Sequence, residues 1–333
     1  MTELFDRIGR AGCCVDLARR FYARVGQDGE LKPLFPGKRL RCATEEMAAF
    51  LVQFMGGVEE DSQKRWWLSL AESHARFKIS TTQRDAWLAA MAATLTEGED
   101  PATEADLYDF FAVAAAYLTG DLGQRPHAPD LTDLWARQLA LDAAVAALAV
   151  EAPRDGLRQF ADRPTVYVGL LARLLGTGYA ADADFVLAEL RAKPALAKSR
   201  FAGANLLHFA AASGQVAIVR QLLEMGVGAD ISDRGGHSPL YALANQWAGE
   251  TGPQIVALLV GAGANVNRQS GVTGATALHM AARRGNVAIA KALLDHGALP
   301  NLPDKKGVTP LARALNLKRD ETAELIRSAG GRR

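Results

Sequence analysis

His74 is the one histidine in the first 120 residues of the chain. Histidine is the residue type best suited to bind a metal ion or to move a proton near neutral pH. The other five histidines lie further along the chain, at His127, His208, His237, His279 and His296. An exposed helix histidine with no chemical role is the alternative for His74. The sequence contains no phosphate loop and no flavin or nicotinamide signature, so none of these common motifs predicts a nucleotide cofactor.

Composition and charge exclude several classes of partner. The 333 residues carry 38 basic and 37 acidic side chains, so no strong field favours nucleic acid or an anionic membrane. The first residues lack the basic and apolar regions of a secretory signal, and no run of apolar residues is long enough to span a membrane. Cys13, Cys14 and Cys42 form no Cys-x-x-Cys pair. They indicate reduced thiols, and we expect a cytoplasmic protein.

Helices must position His74, because the pattern around it is helical. The apolar spacing i, i+3, i+4 and i+7 of an amphipathic helix is present at Met47, Phe50, Leu51 and Phe54. A similar pattern covers residues 107–118. Gly56-Gly57 is expected to end the middle helix, and Thr82 with Asp85 is typical of a capping box at the start of the next one. With no competing strand pattern, the region is predicted to be all-α.

The C-terminal part contains internal repeats. Four tetrapeptides align with spacings of 33, 38 and 33 residues, at 205–208, 238–241, 276–279 and 309–312. In their period and in their partial match to the signature Thr-Pro-Leu-His, these segments resemble the ankyrin repeat. The resemblance implies paired helices stacked into an α-solenoid whose surface binds a protein partner of unknown identity. We expect the five extra residues of the second unit to lie in a longer loop at 247–253.

The expected domain organisation follows from these patterns. Residues 1–122 form the first helical domain, and residues 123–130, rich in Gly and Pro, form a linker. Residues 131–200 are a helical connector with a degenerate capping repeat, and residues 201–333 are the ankyrin repeats. For the helix near 131–150, the sequence does not distinguish a further cap from a connector.

The first domain resembles a known family at five segments. These read Phe-Tyr-Ala-Arg-Val, Leu-Lys-Pro-Leu-Phe-Pro, Phe-Leu-Val-Gln-Phe-Met-Gly-Gly, Ser-His-Ala-Arg-Phe and Arg-Asp-Ala-Trp-Leu. In this order and spacing they resemble the truncated haemoglobins of group II, also called O, with no gap between Tyr22 and Trp87. The resemblance implies a two-over-two helical sandwich and a haem b cofactor. The expected fold class is therefore all-α, a truncated globin followed by an ankyrin solenoid.

The resemblance assigns roles to particular side chains. It makes His74 the axial ligand of the haem iron, a role that needs a neutral imidazole. No other histidine lies in the domain, so if haem binds there, His74 is its histidine ligand. Phe35, Met47 and Phe77 are expected to contact the haem. Ala43 stands where many globins carry a distal histidine.

Tyr22 and Trp87 match the hydrogen-bonding pair of the family's distal pocket. An O–H or N–H donor stabilises O2, which becomes partly negative when bound, much more than it stabilises CO. A boundary tyrosine and a core tryptophan are the structural alternatives.

The sequence departs from the family before His74, where Trp66 and Trp67 could close the haem edge or face the second domain. Arg76 and Lys78 could pair with the haem propionates or could simply be solvated. The sequence has no Cys-x-x-Cys-His motif for covalent haem and no reductase signature.

Several functions remain open at this point. The resemblance implies a haem protein that binds O2, NO and CO, with an ankyrin domain for protein interaction. Ligand binding could serve O2 or NO sensing, and the haem could also support conversion of NO or peroxide. The alternative is a structural ankyrin adaptor with a vestigial globin.

Overall fold

The computed structural model describes residues 3–7, 10–36, 39–57, 67–246 and 249–332. They belong to two compact units, Met1–Ala152 and Pro153–Arg333. Both units are helical, and among the described residues the strands are limited to one two-stranded antiparallel ladder. None of the helices in this part of the chain is long and apolar enough to cross a membrane. The fold class is all-α, as the sequence predicts.

Seven helices of the first unit lie in the described part of the chain. They are α1 (Glu3–Arg7), α2 (Arg10–Val25), α3 (Arg39–Phe54), α4 (Leu70–His74), α5 (Thr81–Leu95), α6 (Pro101–Leu118) and α7 (Pro129–Ala147). A 3-10 turn at Lys32–Leu34 precedes α3.

Local capping explains where α5 and α6 begin. The Ser80 hydroxyl accepts a hydrogen bond from the Gln83 amide, and the Gln83 side chain accepts one from the Ser80 amide, both at 3.1 Å. Ser80 and Gln83 therefore form the capping box of α5, two residues before the predicted Thr82 and Asp85. Serine caps a helix as well as threonine does, and a cap at Ser80 lets the helix begin earlier in the chain. Asp100 caps α6, with Pro101 at its first position.

The middle helix α3 ends as the sequence predicts. Gly56 follows it with φ of +80°, a conformation that glycine adopts without the steric cost of a Cβ. Of the predicted stripe, Leu51 and Phe54 are buried in the core. Met47 and Phe50 are only partly buried and pack at the edge of that core. The apolar face of α3 is thus divided between the core and an internal space.

Two helix pairs form the centre of the first unit. Helix α2 packs against α3, α5 packs against α6, and α2 also contacts α5. This is the two-over-two arrangement that the sequence resemblance implies. The largest fully buried side chains of the core include Phe21, Leu51, Met91, Leu95, Leu107 and Phe110. Their burial removes apolar surface from water, which is the main stabilising contribution to such a core.

Helix α7 belongs to the first unit. Leu131 and Trp135 are buried in the same core cluster as Phe110. The chain between Gly120 and Ala128 therefore connects two helices of one unit, and the two units divide near residue 152. The sequence pattern instead predicts that this helix belongs with residues 131–200, since its apolar positions do not reveal which core they join.

The second unit is a stack of helix pairs. Its helices are α8 (Pro164–Leu174), α9 (Ala180–Ala192), α10 (Leu206–Ala212), α11 (Val216–Glu224), α12 (Pro239–Gln246), α13 (Gly252–Gly261), α14 (Ala277–Arg284), α15 (Val287–Asp295), α16 (Pro310–Asn316) and α17 (Asp320–Ser328). The first helices of successive pairs pack on one another, as do the second helices. Strands Arg200–Phe201 and Ala204–Asn205 pair just before α10. The expected longer loop lies between α12 and α13, with residues 247 and 248 outside the described residues.

Buried histidines join neighbouring repeats. His279 Nδ1 accepts a hydrogen bond from the Thr276 amide at 3.1 Å, while Nε2 donates to the Val308 carbonyl at 2.9 Å. His208 makes the equivalent bond to the His237 carbonyl at 3.1 Å. The hydrogen bonds of these two histidines are therefore made within the repeats, and both residues have a structural role.

Candidate functional site

A cavity of about 350 Å³ lies in the first unit, bordered by residues of α2 to α6. Its walls are mainly apolar and include Leu31, Leu34, Phe50, Phe110, Phe111, Ala114 and Leu118. All six side chains that the sequence analysis assigns to a cofactor site line it: Tyr22, Phe35, Met47, His74, Phe77 and Trp87. The fold thus brings together residues from five separate segments around one space.

His74 is the last residue of α4, and its ring is held in one tautomer. Its Nδ1 lies 2.9 Å from the Leu70 carbonyl oxygen, which can only accept, so Nδ1 carries the proton. The Ser73 hydroxyl donates to the same carbonyl at 2.7 Å and can accept from Nδ1 at 2.8 Å. The lone pair is then on Nε2, which has no hydrogen-bond partner among the described residues. This is the form of imidazole that coordinates a metal.

The surroundings keep His74 neutral. Burial lowers its pKa below the usual histidine range, because the imidazolium ion would lose its hydration. The hydrogen bond to Leu70 and the carboxylate of Asp142 act in the opposite direction, and Arg76 lowers the pKa further. The effect of burial prevails, so the Nε2 lone pair is available at neutral pH.

Asp142 of α7 holds the beginning of α4. Its Oδ1 accepts a hydrogen bond from the Leu70 amide and its Oδ2 accepts one from the Ala71 amide, both at 2.9 Å. The role of this residue could not be predicted from the sequence. A carboxylate that contacts a helix 72 residues earlier leaves no signal in local spacing.

The Phe21 ring packs against both Tyr22 and Trp87. The Phe21 ring centroid lies 5.0 Å from that of Tyr22 and 4.9 Å from that of Trp87. Both outer side chains line the cavity. The Tyr22 hydroxyl and the Trp87 indole N–H have no hydrogen-bond partner in the described part of the chain. Within the described residues, the cavity therefore contains two donors without a protein acceptor.

Further aromatic contacts lead from Tyr22 to His74. Successive ring centroids are 5.6 Å apart for Tyr22 and Phe35, 5.9 Å for Phe35 and Phe77, and 6.2 Å for Phe77 and His74. These contacts fix the position of Phe35 and Phe77 along one wall. Trp87 in turn packs on Phe111, with centroids 5.7 Å apart.

One acidic side chain, Glu46 of α3, also lines the cavity, as do Ala43 and Cys42. The Trp67 amide donates to Glu46 Oε1 at 3.3 Å. Burial, and in second place the charge of Glu46, raise the pKa of Tyr22 above its usual range. The phenol is therefore protonated throughout the neutral range and acts as a donor. Trp67 lines the cavity, which agrees with the first of the two alternatives given for the tryptophan pair, whereas Trp66 lies outside the described residues.

Three arginines border the cavity. They are Arg39, Arg76 and Arg84. The Arg76 guanidinium lies over the Phe77 ring at 4.9 Å, and Arg84 pairs with Asp85 at 2.7 Å. Lys78, the second residue considered for propionate contacts, is not among the described residues that line this space.

These features fit a haem group. A porphyrin needs an apolar space for its ring, an imidazole nitrogen for its iron and cations for its propionates. The cavity offers the Nε2 atom of His74 and arginines at its margin. Tyr22 and Trp87 add donors for a further ligand. The residues that line the cavity therefore fit a haem group.

Comparison with known families agrees with both units. Residues 3–116 match the family model for the bacterial-like globin. Residues 202–236 match the ankyrin repeat model, and residues 246–331 match the model for three copies of that repeat. The globin match ends before α7 begins at Pro129.

Curated relatives share only part of their length with this chain. The E3 ubiquitin-protein ligase KEG of Arabidopsis thaliana is 37% identical over 134 residues, which cover 39% of this chain and 8% of that protein. The putative ankyrin repeat protein FPV031 of fowlpox virus is 33% identical over 127 residues, 37% of this chain and 36% of that protein. The neurogenic locus notch homolog protein 1 of Xenopus tropicalis is 38% identical over 98 residues, which cover 26% of this chain and 4% of that protein.

Proposed function

We propose that this chain, in which a bacterial-like globin domain is followed by ankyrin repeats, binds haem b through His74 and takes up O2, NO and CO. The observation that carries the proposal is the Nε2 atom of His74, which lines an apolar cavity and has no hydrogen-bond partner among the described residues. When bound, the haem supplies an iron with a coordination position for a diatomic ligand.

The protein's own residues determine how such a ligand is held. Tyr22 and Trp87 donate hydrogen bonds to a ligand in the cavity, each worth about 1.5–3 kcal/mol when the acceptor carries charge. The mainly apolar walls lower the local dielectric constant and so strengthen these bonds. Ala43 contributes no donor, since its side chain is a methyl group. The expected result is a pocket that raises the affinity for O2 relative to the affinity for CO.

The ankyrin repeats form the second part of the proposal. Stacked repeats present an extended surface, and we propose that this surface binds a protein partner. The family match over 202–236 and 246–331 supports the proposal. In this scheme the repeats target the haem domain to its partner.

Absorption spectra of the purified full-length protein test the haem proposal. Wild-type protein should contain about one equivalent of haem, with distinct ferric, ferrous, CO and O2 spectra. His74→Ala should lose tightly bound haem or change its ligation. His127→Ala is the matched control, because the His127 side chain is 91% exposed in the same unit. If His74→Ala kept the wild-type ferrous and CO spectra, the axial assignment would be wrong.

A further inference from the structure

The carboxylate of Asp142 accepts four hydrogen bonds. Oδ1 accepts from the Leu70 amide at 2.9 Å and from Gln138 Nε2 at 2.7 Å. Oδ2 accepts from the Ala71 amide and from the Tyr117 hydroxyl, both at 2.9 Å. Asp142 is only 7% exposed. A carboxylate that is buried and surrounded by donors in this way is held in one orientation, and its hydrogen bonds act in a region of low dielectric constant.

Helix α4 needs this support because it is only five residues long. A helix of one turn is unstable on its own, and the first amides of any helix lack partners within it. Asp142 satisfies the Leu70 and Ala71 amides, and the Ser69 hydroxyl accepts from the Glu72 amide at 2.8 Å. The first turn of α4 is therefore anchored mainly by a residue of α7. His74 is the last residue of that same turn.

One peptide group connects Asp142 to His74. The bond between Leu70 and Ala71 contributes its N–H to Asp142 Oδ2 and its carbonyl oxygen to His74 Nδ1. A peptide group is planar and rigid, so fixing its N–H also fixes the direction of its carbonyl. A negative charge at the N–H end polarises the group and strengthens the carbonyl as an acceptor.

We propose that Asp142 is a positioning residue for His74, acting through the Leu70–Ala71 peptide to orient the imidazole and increase its electron donation to a metal. The inference rests on the proposed function, in which His74 binds the haem iron. Hydrogen bonding to the outer nitrogen of a ligating imidazole fixes its orientation and raises its basicity. Asp142 lies beyond residues 3–116, so this contribution comes from outside the segment that matches the globin model.

Asp142→Asn in the full-length protein tests the proposal, with Tyr117→Phe as the matched control. The asparagine removes the charge and places an amide donor opposite another donor. The phenylalanine removes one donor to the same carboxylate but keeps its charge and both bonds to α4. Resonance Raman spectroscopy of the ferrous protein should show a lower iron–imidazole stretching frequency for Asp142→Asn. Haem transfer to an acceptor apoprotein should be roughly 10- to 100-fold faster.

The control should behave differently. Tyr117→Phe should keep a stretching frequency equal to or above that of the wild type, with wild-type haem loss. An equal decrease in both variants would indicate general loss of packing and would overturn the proposal. Unchanged values for Asp142→Asn would overturn it too, while leaving the haem proposal intact. A wild-type protein that took up no haem would overturn the proposed function itself, and the inference with it.

The haem-free protein provides a second readout. Amide hydrogen exchange at Leu70 and Ala71 should be faster in Asp142→Asn than in the wild type, because asparagine offers one acceptor oxygen where the carboxylate offers an oxygen to each amide. Tyr117→Phe should leave their exchange unchanged. Equal protection of these two amides in all three proteins would show that Asp142 does not anchor α4.

Discussion

Trp135 of α7 packs edge to face on Phe110 of α6, with ring centroids 6.0 Å apart. Trp135 is 2% exposed, and Phe110 lines the cavity that contains His74. The helix that follows the globin match is therefore part of the structure that forms the cavity wall. Its contribution is a large buried aromatic surface, which stabilises the unit by about 3 kcal/mol or more.

This packing predicts the minimal length of a functional haem domain. A protein that ends at Ala152 should fold and bind haem, whereas one that ends at Arg125 lacks Trp135 and Asp142 and should be unstable or poor in haem. The haem-to-protein ratio after purification and the thermal unfolding of both proteins measure this difference. Equal haem content and equal melting temperatures would show that α7 contributes little.

Tyr22→Phe and Trp87→Phe should each speed O2 dissociation by about 10- to 150-fold, as expected for one lost hydrogen bond of 1.5–3 kcal/mol. CO dissociation should change much less. The two effects should not be additive, because both donors address one ligand. Laser photolysis and stopped-flow mixing measure the rates.

The control for these variants is Tyr108→Phe, which changes a 39% exposed tyrosine on α6 that does not line the cavity. It should leave both ligands' rates at wild-type values. If Tyr22→Phe altered O2 and CO equally, the cause would be changed access or packing, and the role of the two donors would be disproved.

Glu189 of α9 should stabilise the second unit in a pH-dependent manner. Although burial alone would raise its pKa, hydrogen bonds from Lys193, Arg158 and Tyr167 lower that pKa to about 2. Because the pKa of Glu189 is lower in the folded protein than in the unfolded chain, Glu189 contributes its full stabilisation above about pH 5. This stabilisation is lost as the pH falls toward 2. Glu189→Gln should cost about 1–3 kcal/mol at pH 7, since two of the partners are partly solvated.

Urea unfolding of the full-length protein at several pH values measures this effect. The difference between wild type and Glu189→Gln should narrow steadily below pH 5. Glu324→Gln is the control, because Glu324 is 65% exposed and pairs with an exposed arginine. It should change stability by less than about 1 kcal/mol at any pH. A pH-independent difference for Glu189→Gln would rule out the proposed charge effect.

His279→Ala should destabilise the repeats by about 1–3 kcal/mol, because it removes the bond to Val308 and leaves the Thr276 amide without its acceptor. Burial lowers the pKa of His279 below the usual histidine range. The stability that His279 contributes is therefore present above the usual histidine pKa range and decreases as the pH falls through that range. The difference in the free energy of unfolding between the wild type and His279→Ala should therefore decrease between about pH 7 and 5.

Thermal unfolding at pH 7 and pH 5 provides the measurement. His296→Ala is the control, because His296 is exposed and bonds only within its own helix end, to Ala292. This variant should match the wild type at both pH values. An advantage of the wild type over His279→Ala that grew on acidification would mean that the buried ring is charged.

The amino-acid sequence by itself determined the two kinds of unit and most of the cavity. The period of 33 residues at 205–208 and 238–241 identifies stacked repeats, because each repeat must present the same residues to its neighbours. The resemblance to the truncated haemoglobins implies that Tyr22, His74 and Trp87 belong to one site, and the fold places all three around one cavity. Such patterns are readable because local turns and helical periodicity impose fixed spacings.

Only the tertiary structure decided which core α7 joins and what holds His74 in place. The apolar residues Leu131 and Trp135 would suit either unit, and their contacts with residues of earlier helices settle the matter. Asp142 meets Leu70 across 72 residues of chain. Contacts of this kind depend on how helices pack after they form, and packing leaves no fixed spacing in the sequence.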